Sequence, residues 1–518
     1  MTQAQATSSA DPDARSPKST GIGRSALAFA FVGSACLLVL EIVAGRLVAP
    51  RLGVSLYTWT SVIGVVLGGV TLGNYLGGRL ADRRPSRSTL GLLYLAGSAS
   101  AVLVLGVLHF LDALDLPKSA PAMLQVLWVT TLLFLLPSTI LAAPTPLLTR
   151  LSLHSVDETG RVVGRIQAAA ALGSILGTFL TGFFLITWFG TRSIVVGIAV
   201  TLLLLAVLAR PPWLAARLYV VGALAAVIVV AGWISGSGCT RESNYYCIRV
   251  DPGTVVENVG GQRVEKTPAV QALYLDALLH SEVDTLHPLR LLYDYEQDYA
   301  AVLKRIHEPG DPLDSFFIGG GGYVFPRYVE AKYGGKVTVA EIDPEVTAVA
   351  RRYFRLRSSP LLETVTGDAR LELQSRPDSE KFDAVFGDAF DDLSVPYHLT
   401  TREFHRVVAR HLRPNGIYML NVVDGGDLDF LRSELRTLRL TFPYVAFIPP
   451  KDSWPLRAGR STFVIVAANA APAGRFRALP AKELDAFLAG GHSIVLTDDH
   501  APVEQLLAPL FRERLHQN

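Results

Sequence analysis

The segment GDAFDDL contains three carboxylates within a span of five residues: Asp388, Asp391 and Asp392. Carboxylates packed this closely repel one another and raise each other's pKa values unless a cation neutralises them. An acidic loop tip exposed to water would have the same composition. The position directly after an apolar run favours a site for a polycationic substrate or a metal, and a polyamine would suit it. No His or Cys lies nearby at ligand spacing, which disfavours a transition metal.

Further polar or glycine-rich groups follow other apolar runs. Gly319, Gly320, Gly321 and Gly322 form a glycine turn that would let backbone N–H groups and a helix N-terminus approach a ligand, although a plain tight turn needs glycine too. Glu341 follows the turn by about 20 residues, the spacing at which an acidic side chain hydrogen-bonds a ribose. Asp368, in TGDAR, either reaches a base edge or caps the next helix.

These residues are expected to meet because of the elements that carry them. From Leu313 onward, short apolar strands alternate with helical patterns, which predicts βαβ units and a mostly parallel sheet. The predicted strands are SFFIGG, KVTVAEID, LETVTGD, FDAVFGDA and GIYMLNVV. Ligands of such sheets bind at the carboxyl ends of the strands. The glycine turn and the acids after it therefore belong at one edge of the sheet.

The first half of the chain reads as a membrane domain. Seven stretches are apolar and long enough to span a bilayer, approximately residues 26–48, 59–80, 90–111, 123–148, 166–189, 194–208 and 218–234. Small residues recur at helical spacing in several of them, which predicts close helix packing. Lys and Arg concentrate before the first span and after the second, fourth and sixth. This distribution places the N-terminus in the cytoplasm, and seven spans would leave the second half outside.

Two ionisable residues and three cysteines add to this interpretation. Glu41 and Arg46 lie in or just after the first span, where they indicate either ion pairing and snorkelling or a functional polar cavity. Cys239 and Cys247 are close enough to form a local disulfide, which persists in an oxidising compartment. The remaining cysteine, Cys36, lies in the first span. The cysteine pair thus favours an extracytoplasmic second half.

Composition supports a chain of several unlike parts. The 518 residues are half hydrophobic and carry a net charge of only +2, which argues against a nucleic-acid partner. We expect a disordered tail at 1–24, a transmembrane domain at 25–236, a small β-rich subdomain with a linker helix at 237–310, and a Rossmann-like domain at 311–518. The expected partners are a small-molecule polyamine and the lipid bilayer; the sequence is compatible with a homo-oligomer.

The motifs of the second half resemble those of the spermidine synthases, the polyamine aminopropyltransferases. IGGGGYVFPRYV, VTVAEIDPEVTAVARRYF, GDAR, FDAVFGDAFDD and LTTREFHRVVARHLRPNGI follow one another in the order and spacing of that family. The upstream segments RESNYYCIRV and LYLDALLHS and the late LTDDHAPVEQLL are similar to the membrane-fused branch. The resemblance extends from about residue 242 to 507.

The resemblance implies a methyltransferase-type Rossmann domain behind a small β-rich subdomain. It also implies transfer of an aminopropyl group from decarboxylated S-adenosylmethionine to a diamine, with S-adenosylmethionine as an alternative co-substrate and no metal. Gly319, Gly320, Gly321 and Gly322 would bind this co-substrate, Glu341 its ribose and Asp368 its adenine. Asp388 would accept the proton, and substrate binding would fall to Asp391, Asp392, His280, Tyr295 and Glu296.

Three positions depart from the family pattern. The glycine turn of the family normally reads GGGDG, and Gly322 stands where its Asp grips the amine of the donor. Leu275 replaces a frequent glutamine of the acceptor site, and Asp392 replaces a usual proline. The chemical identities of the donor and of the acceptor therefore stay open. Alternatives to aminopropyl transfer are another S-adenosyl-dependent reaction on the same fold, and a transport or sensing protein that binds a polyamine or nucleoside without turnover.

Overall fold

The computed structural model describes residues 23–52, 56–110, 122–209, 238–253, 255–259, 262–266, 269–276, 278–390, 395–450 and 460–510. Within these ranges the first half is helical and the second half is an α/β structure. Residues 1–22 of the predicted tail lie outside the described residues, and its last two residues, 23 and 24, begin the first helix. The span predicted at 218–234 also lies outside them.

The helical half contains α1 (Gly23–Leu52), α2 (Leu56–Arg83), α3 (Arg87–Phe110), α4 (Ala122–Ala142), α5 (Pro144–Ser152), α6 (Thr159–Leu180), α7 (Ile186–Phe189) and α8 (Thr191–Leu208). A π-helical turn, Thr181–Leu185, joins α6 to α7. Six helical segments of the described residues are long and apolar enough to cross a membrane. They overlap the first six predicted spans.

Glycines bring pairs of these helices into backbone contact, as the spacing of small residues predicts. A Cβ atom added to Gly177 of α6 would lie 2.7 Å from the carbonyl oxygen of Ala35 on α1. Gly73 and Gly77 of α2 likewise face backbone atoms of Thr139 in α4 and Ala143 just before α5. Close approach of this kind is how helices associate in lipid, where burial of apolar surface gives little driving force.

A small antiparallel sheet begins the second half. Its strands are β1 (Arg241–Glu242), β2 (Cys247–Pro252), β5 (Val270–Leu275) and β6 (Leu278–Asp284), hydrogen-bonded in the order β1-β2-β5-β6, beside a separate ribbon of β3 (Val255–Val259) and β4 (Gln262–Lys266). Cys239 and Cys247 form the predicted disulfide. Helix α9 (Asp294–Ile306) leads from this sheet into the larger one.

The larger sheet has seven strands in the order β12-β13-β11-β10-β7-β8-β9. The elements are β7 (Ser315–Ile318), α10 (Val324–Tyr333), β8 (Val337–Glu341), α11 (Pro344–Tyr353), β9 (Leu362–Thr366), α12 (Ala369–Ser375), β10 (Phe382–Gly387), α13 (Arg402–His411), β11 (Leu412–Asp424), α14 (Asp429–Arg439), β12 (Tyr444–Ile448), β13 (Ser461–Ala468), α15 (Ala481–Ala489) and α16 (Val503–Leu506). Strand β13 runs in the direction opposite to that of the other six strands. This is the predicted methyltransferase-like α/β domain.

The central strands are apolar along their whole length because side chains on both faces are covered. Phe316, Phe317, Val339 and Phe386 are at most 2% exposed, which is typical of parallel strands between helical layers. The order of strands along the chain reverses between β7 and β10, so the sheet has its switch point there. Ligands of doubly wound sheets bind outside the carboxyl ends of the strands at this point.

The two halves meet at charged residues. The Arg46 guanidinium, near the end of α1, donates to backbone carbonyls of the segment before β2, including that of Ser243 at 2.6 Å. In the other direction, the Glu242 carboxylate accepts from the backbone N–H of Thr191 at 2.6 Å and so caps α8. Arg46 therefore contacts the second half directly, whereas the role of Glu41, which is half-buried on α1, stays a prediction.

Candidate active site

The glycine turn lies at the switch point, directly after β7. Gly319 has φ +94°, and a Cβ atom there would lie 2.6 Å from the carbonyl oxygen of Asp388. Glycine is therefore required at this position both by backbone conformation and by the close approach of the loop after β10. The turn and Asp388 are thus adjacent, because β7 and β10 are neighbouring parallel strands.

Glu341, at the end of β8, is tied to the glycine turn. Its Oε2 accepts a hydrogen bond of 2.7 Å from the backbone N–H of Gly320, and its Oε1 accepts one of 3.0 Å from that of Asp343. The side chain is 7% exposed, and this burial raises the pKa of the carboxyl in spite of the backbone hydrogen bonds. The geometry holds one carboxylate in a fixed orientation beside the turn.

Asp368, after β9, has two partners within the protein. Its Oδ1 accepts from the backbone N–H of Leu371 at 2.9 Å, so the capping alternative is confirmed for α12. Its Oδ2 lies 2.7 Å from Nε2 of His398, a residue that no sequence pattern had selected. A role towards an adenine stays a prediction, and His398 would share the same wall of the site.

Asp388, after β10, is the centre of a second hydrogen-bonded group. The Tyr295 hydroxyl donates to its Oδ2 at 2.8 Å, and the Asn421 amide donates to its Oδ1 at 2.8 Å. Burial raises the pKa of Asp388, and both hydrogen bonds act in the opposite direction. Tyr295 was among the predicted residues, whereas Asn421 was not. The signal for Asn421 was a single amide within the apolar strand GIYMLNVV, because buried polar groups need a partner.

Glu296 is a second buried acid near Asp388. It is 3% exposed, and its Oε2 accepts from the backbone N–H of Tyr293, the residue directly before α9. Burial, followed by repulsion from Asp388, raises the pKa of Glu296 to about 8. A carboxyl group in this position is protonated at neutral pH until a cation approaches it.

The space beyond Gly322 explains the missing acid of the turn. The backbone N–H of Gly322 donates to Oγ of Ser281 on β6 at 3.0 Å. A Cβ atom at Gly322 would lie 2.8 Å from Cβ of Ser281 and 2.9 Å from Cγ2 of Val283. Strand β6 therefore occupies the volume that a side chain at position 322 would need. The departure from the family pattern is built into the packing.

Aromatic rings line the interior next to Asp388. The ring centroids of Phe317 and Phe386 are 4.4 Å apart, and Tyr299 lies 5.3 Å from Phe325 and 5.6 Å from Phe386. Aromatic faces attract an alkylammonium through their quadrupole, most strongly where water is excluded. A surface of carboxylates and rings is thus suited to an organic cation.

Two adjoining cavities meet at Asp388. The turn-side cavity is lined by the glycine turn, Tyr295, Glu296 and the aromatic rings; the nucleoside-side cavity, on the other flank of Gly319 and Gly321, is lined by Glu341, Asp368 and His398. His280, half-buried on β6, lines both, and Leu275 lines the nucleoside-side cavity. The structure thus brings together the predicted residues that it describes. Asp391 and Asp392 lie outside the described residues.

Metal ligands do not gather in the part of the chain that the structure describes. No group of three or more His, Cys, Asp or Glu side chains there could hold a metal ion. Because Asp391 and Asp392 are outside that part, the expectation of a metal-free site stays a prediction.

Comparison with known proteins gives relatives by sequence, whereas no family model matches the chain. The polyamine aminopropyltransferase of Chromobacterium violaceum is 30% identical over 176 residues, covering 33% of this chain and 65% of that protein. Polyamine aminopropyltransferase 1 of Streptomyces coelicolor is 26% identical over 430 residues, covering 75% of this chain and 74% of that protein. Putrescine N-methyltransferase 2 of Nicotiana attenuata is 30% identical over 104 residues, 19% of this chain and 28% of that protein.

The chain spans less than two thirds of the length of most of these curated relatives. The Streptomyces match is too long to be confined to residues 237–518 and so reaches the helical half. Among solved structures, a probable spermidine synthase from Corynebacterium glutamicum is 19% identical with a TM-score of 0.42, covering 49% of this chain and 95% of that one. Such a low score adds nothing to the sequence relationship. By sequence, the chain is thus related to the spermidine synthases, or polyamine aminopropyltransferases, a family of transferases.

Proposed function

We propose that this chain is a membrane-anchored, aminopropyltransferase-like enzyme. It would transfer an aminopropyl group from decarboxylated S-adenosylmethionine to a di- or polyamine and release methylthioadenosine. The observation that carries the proposal is the position of Asp388, whose carboxylate is held by Tyr295 and Asn421 where the two cavities meet. The names of the sequence relatives support this class of reaction.

The nucleoside-side cavity is suited to the donor. Glu341 would accept the ribose hydroxyls, since its carboxylate is already oriented by two backbone N–H groups and each oxygen can accept a further hydrogen bond. Asp368, with His398, would face the adenine amino group. When bound, a sulfonium donor supplies a carbon with a good leaving group. Gly319 to Gly322 would lie along it through their backbone, as at other glycine turns.

Asp388 would position the acceptor amine and take its proton. An ammonium group has no lone pair, so the attacking nitrogen must lose a proton before or during attack. A C–N bond forms as a C–S bond breaks, the electron pair of the broken bond stays on sulfur, and the proton passes to Oδ1 or Oδ2 of Asp388. Holding the nitrogen in line with the carbon supplies the remaining acceleration.

Other residues would bind the cationic ends of the substrates. His280 and Tyr295 line the turn-side cavity beside Asp388, and Asp391 and Asp392 follow it in sequence. Glu296 would substitute for the acid that the turn lacks at Gly322. It lines the same cavity, and an entering ammonium would favour its ionised form. The proton would then pass to water, and the carboxylate would accept a charge-assisted hydrogen bond from the ammonium.

A second candidate is another S-adenosylmethionine-dependent transfer to an amine on the same fold. The contact of Gly322 with Ser281 and Val283 favours it, because the usual anchor for the amine of the aminopropyl donor has no room there. The relative named putrescine N-methyltransferase supports it as well. Methyl transfer would use Asp388 in the same way, since it also needs a neutral nitrogen.

One assay separates the two candidates. The purified full chain, in detergent, is incubated with either decarboxylated S-adenosylmethionine or S-adenosylmethionine and with diamines of three to five carbons. Mass spectrometry then follows methylthioadenosine and S-adenosylhomocysteine. Methylthioadenosine together with an aminopropylated amine supports the first proposal, and S-adenosylhomocysteine with a methylated amine supports the second. Neither product with any diamine would remove the enzyme proposal.

The proposal includes placement in the cell membrane as a multi-pass protein. Support comes from the six long apolar helices and from the exposed rings of Phe179, Phe183 and Trp188 around the α6–α7 junction. We keep the predicted division at 1–24, 25–236, 237–310 and 311–518, and the second half on the extracytoplasmic side. A phosphatase reporter fused after Ser237 tests the side, because it is active only when exported. An inactive but stably produced fusion would place the second half in the cytoplasm.

A further inference from the structure

One guanidinium from the helical half organises a backbone segment of the second half. Arg46 donates through Nη2 to the carbonyl oxygen of Ser243 at 2.6 Å, through Nη1 to that of Asn244 at 3.3 Å, and also to that of Tyr245. Three carbonyls in a row can face one cation only if the chain turns around it. The planar donor array of arginine is suited to this, whereas the compact ammonium of lysine is not.

The same segment continues into the wall of the candidate active site. The Ser243 hydroxyl donates to Oδ2 of Asp343, a fully buried carboxylate that also caps α11. The backbone N–H of Asp343 donates to Oε1 of Glu341 at 3.0 Å, and Oε2 of Glu341 accepts from Gly320 at 2.7 Å. Hydrogen bonds and two short pieces of backbone therefore connect Arg46 to the glycine turn. The Ser243 hydroxyl also accepts from the backbone N–H groups of Tyr245 and Tyr246, so it fixes the segment as well as Asp343.

A second branch reaches the loop that carries Asp388. Tyr246 follows the segment directly, is 8% exposed, and lines the nucleoside-side cavity. Its hydroxyl donates to the carbonyl oxygen of Phe390 at 3.4 Å. Cys239 and Cys247 lie on either side of the segment, and their disulfide closes a loop that contains it. Displacement of the segment would thus change both flanks of the cavity.

We propose that Arg46 is a positioning residue for the nucleoside-binding cavity. By holding the segment from Ser243 to Tyr246, it fixes Asp343 and through it Glu341, so that the helical half sets the affinity of the second half for a nucleoside. This inference depends on the proposed function in one respect, namely that the cavity binds a nucleoside. It gives a structural reason for the fusion of the two halves, which the chemistry of transfer alone does not require.

The electrostatics of Asp343 agree with this geometry. Burial raises the pKa of the Asp343 carboxyl, while the Ser243 hydroxyl and the charge of Arg46 act in the opposite direction. Removal of Arg46 would therefore destabilise the ionised form of Asp343 in addition to releasing the segment. Both effects loosen the backbone N–H that orients Glu341.

The interface supplies a matched control. Glu242 joins the same segment to the helical half by accepting from both the backbone N–H and the hydroxyl of Thr191. Within the described residues, its carboxylate is not hydrogen-bonded to Asp343. Glu242→Gln therefore weakens the attachment between the halves without interrupting the connection from Arg46 to Glu341. A purely structural role of the interface would make the two kinds of variant behave alike.

The test compares Arg46→Ala, Arg46→Lys, Ser243→Ala and Glu242→Gln with the wild type as full chains in detergent. Dissociation constants for methylthioadenosine and S-adenosylhomocysteine are measured by calorimetry, and thermal unfolding is recorded in parallel. We expect Arg46→Ala and Ser243→Ala to weaken nucleoside binding by about tenfold, the result of about 1.4 kcal/mol. The nucleoside affinity of Arg46→Lys should lie between those of Arg46→Ala and the wild type. The affinity of Glu242→Gln should stay within about twofold of the wild type.

The outcomes separate this inference from the proposed function. Equal affinity of the wild type, Arg46→Ala and Ser243→Ala overturns the inference and leaves the function intact. Equal weakening in Glu242→Gln also overturns it, since attachment alone would then explain the effect. If the wild type binds neither nucleoside, the proposed function fails and the inference with it. If Arg46→Ala does not fold, the affinity of Ser243→Ala decides between these outcomes. That variant removes a single hydroxyl from the second half and leaves Arg46 in place.

Discussion

Replacement of Asp388 by asparagine is the most direct perturbation of the proposed mechanism. The amide has the shape of the carboxylate but cannot accept a proton and carries no charge. The surroundings can accommodate it, since the Tyr295 hydroxyl can still donate to the remaining oxygen. Oδ1 of Asn421 is buried without a hydrogen-bond partner among the described residues, and it can accept from the new amide once the Asn421 side chain turns over.

The expected magnitude follows from two losses. General base catalysis by a positioned side chain contributes about 10²- to 10⁴-fold. Loss of the hydrogen bond between a carboxylate and an ammonium costs about 1.5 to 3 kcal/mol, or a further tenfold or more in amine binding. We therefore expect kcat/KM for the diamine to fall by about 10³-fold or more. Binding of methylthioadenosine should change by less than about threefold, because Glu341 and Asp368 are untouched.

The assay is product formation by mass spectrometry with nucleoside affinity measured on the same preparation. Asp383→Asn is the matched control, because Asp383 lies near the start of β10, at the opposite end of the strand from Asp388, and pairs with Arg413. Burial raises the pKa of Asp388, so wild-type activity should rise with pH through that raised value, and the Asn variant should lack this rise. Activity of Asp388→Asn within threefold of the wild type would refute the role of Asp388.

Three further predictions concern the turn, the second acid and the disulfide. Gly322→Asp should lower stability by about 1 to 3 kcal/mol by overpacking against Ser281, seen as a lower Tm, and unchanged stability would contradict the packing argument. In Glu296→Gln the new amide oxygen can still accept from the Tyr293 N–H. Since the pKa of Glu296 is about 8 in the folded chain and ordinarily 4.5, wild-type stability should fall relative to the variant from about pH 4.5 to 8, and parallel curves of stability against pH would count against burial of the acid. Replacing Cys239 and Cys247 by serine should lower the free energy of unfolding by about 2 to 4 kcal/mol. Reductant should then have no further effect on the Tm of the variant, and a further shift would contradict the assignment of the disulfide to these two cysteines.

The arrangement of the strand ends could be predicted from the sequence because it follows from one rule. Parallel strands place the residues after them at one edge, so the glycine turn, Glu341, Asp368 and Asp388 had to be close whatever the details of packing. Asn421 was not selected, although it lies on a predicted strand, because its partner depends on the register between β10 and β11. His398 lies 30 residues from Asp368 in a short 3-10 turn, Tyr397–Leu399, and its contact depends on tertiary packing.

Contacts between distant parts of the chain were beyond the sequence patterns. The absence of an acid at Gly322 was visible, but its cause lies on β6, 41 residues earlier, where Ser281 and Val283 fill the space. Arg46 was recognised as an unusual residue at the end of a span. Its partners are about 200 residues away, and no periodicity or charge pattern connects them. Such contacts are set by the docking of domains, which local propensity does not encode.

In the proposed function, the two buried acids of the turn-side cavity would compensate for the acid that the turn lacks. Burial, followed by repulsion from Asp388, raises the pKa of Glu296 to about 8, so this carboxyl holds a proton at neutral pH. An entering diammonium ion would remove the repulsion and allow both carboxylates to be charged. The aromatic rings around them stabilise the same cation and exclude water, which strengthens these interactions. In the proposed function, Glu296 on α9 would thus supply a negative charge to the cavity that Gly322 cannot supply.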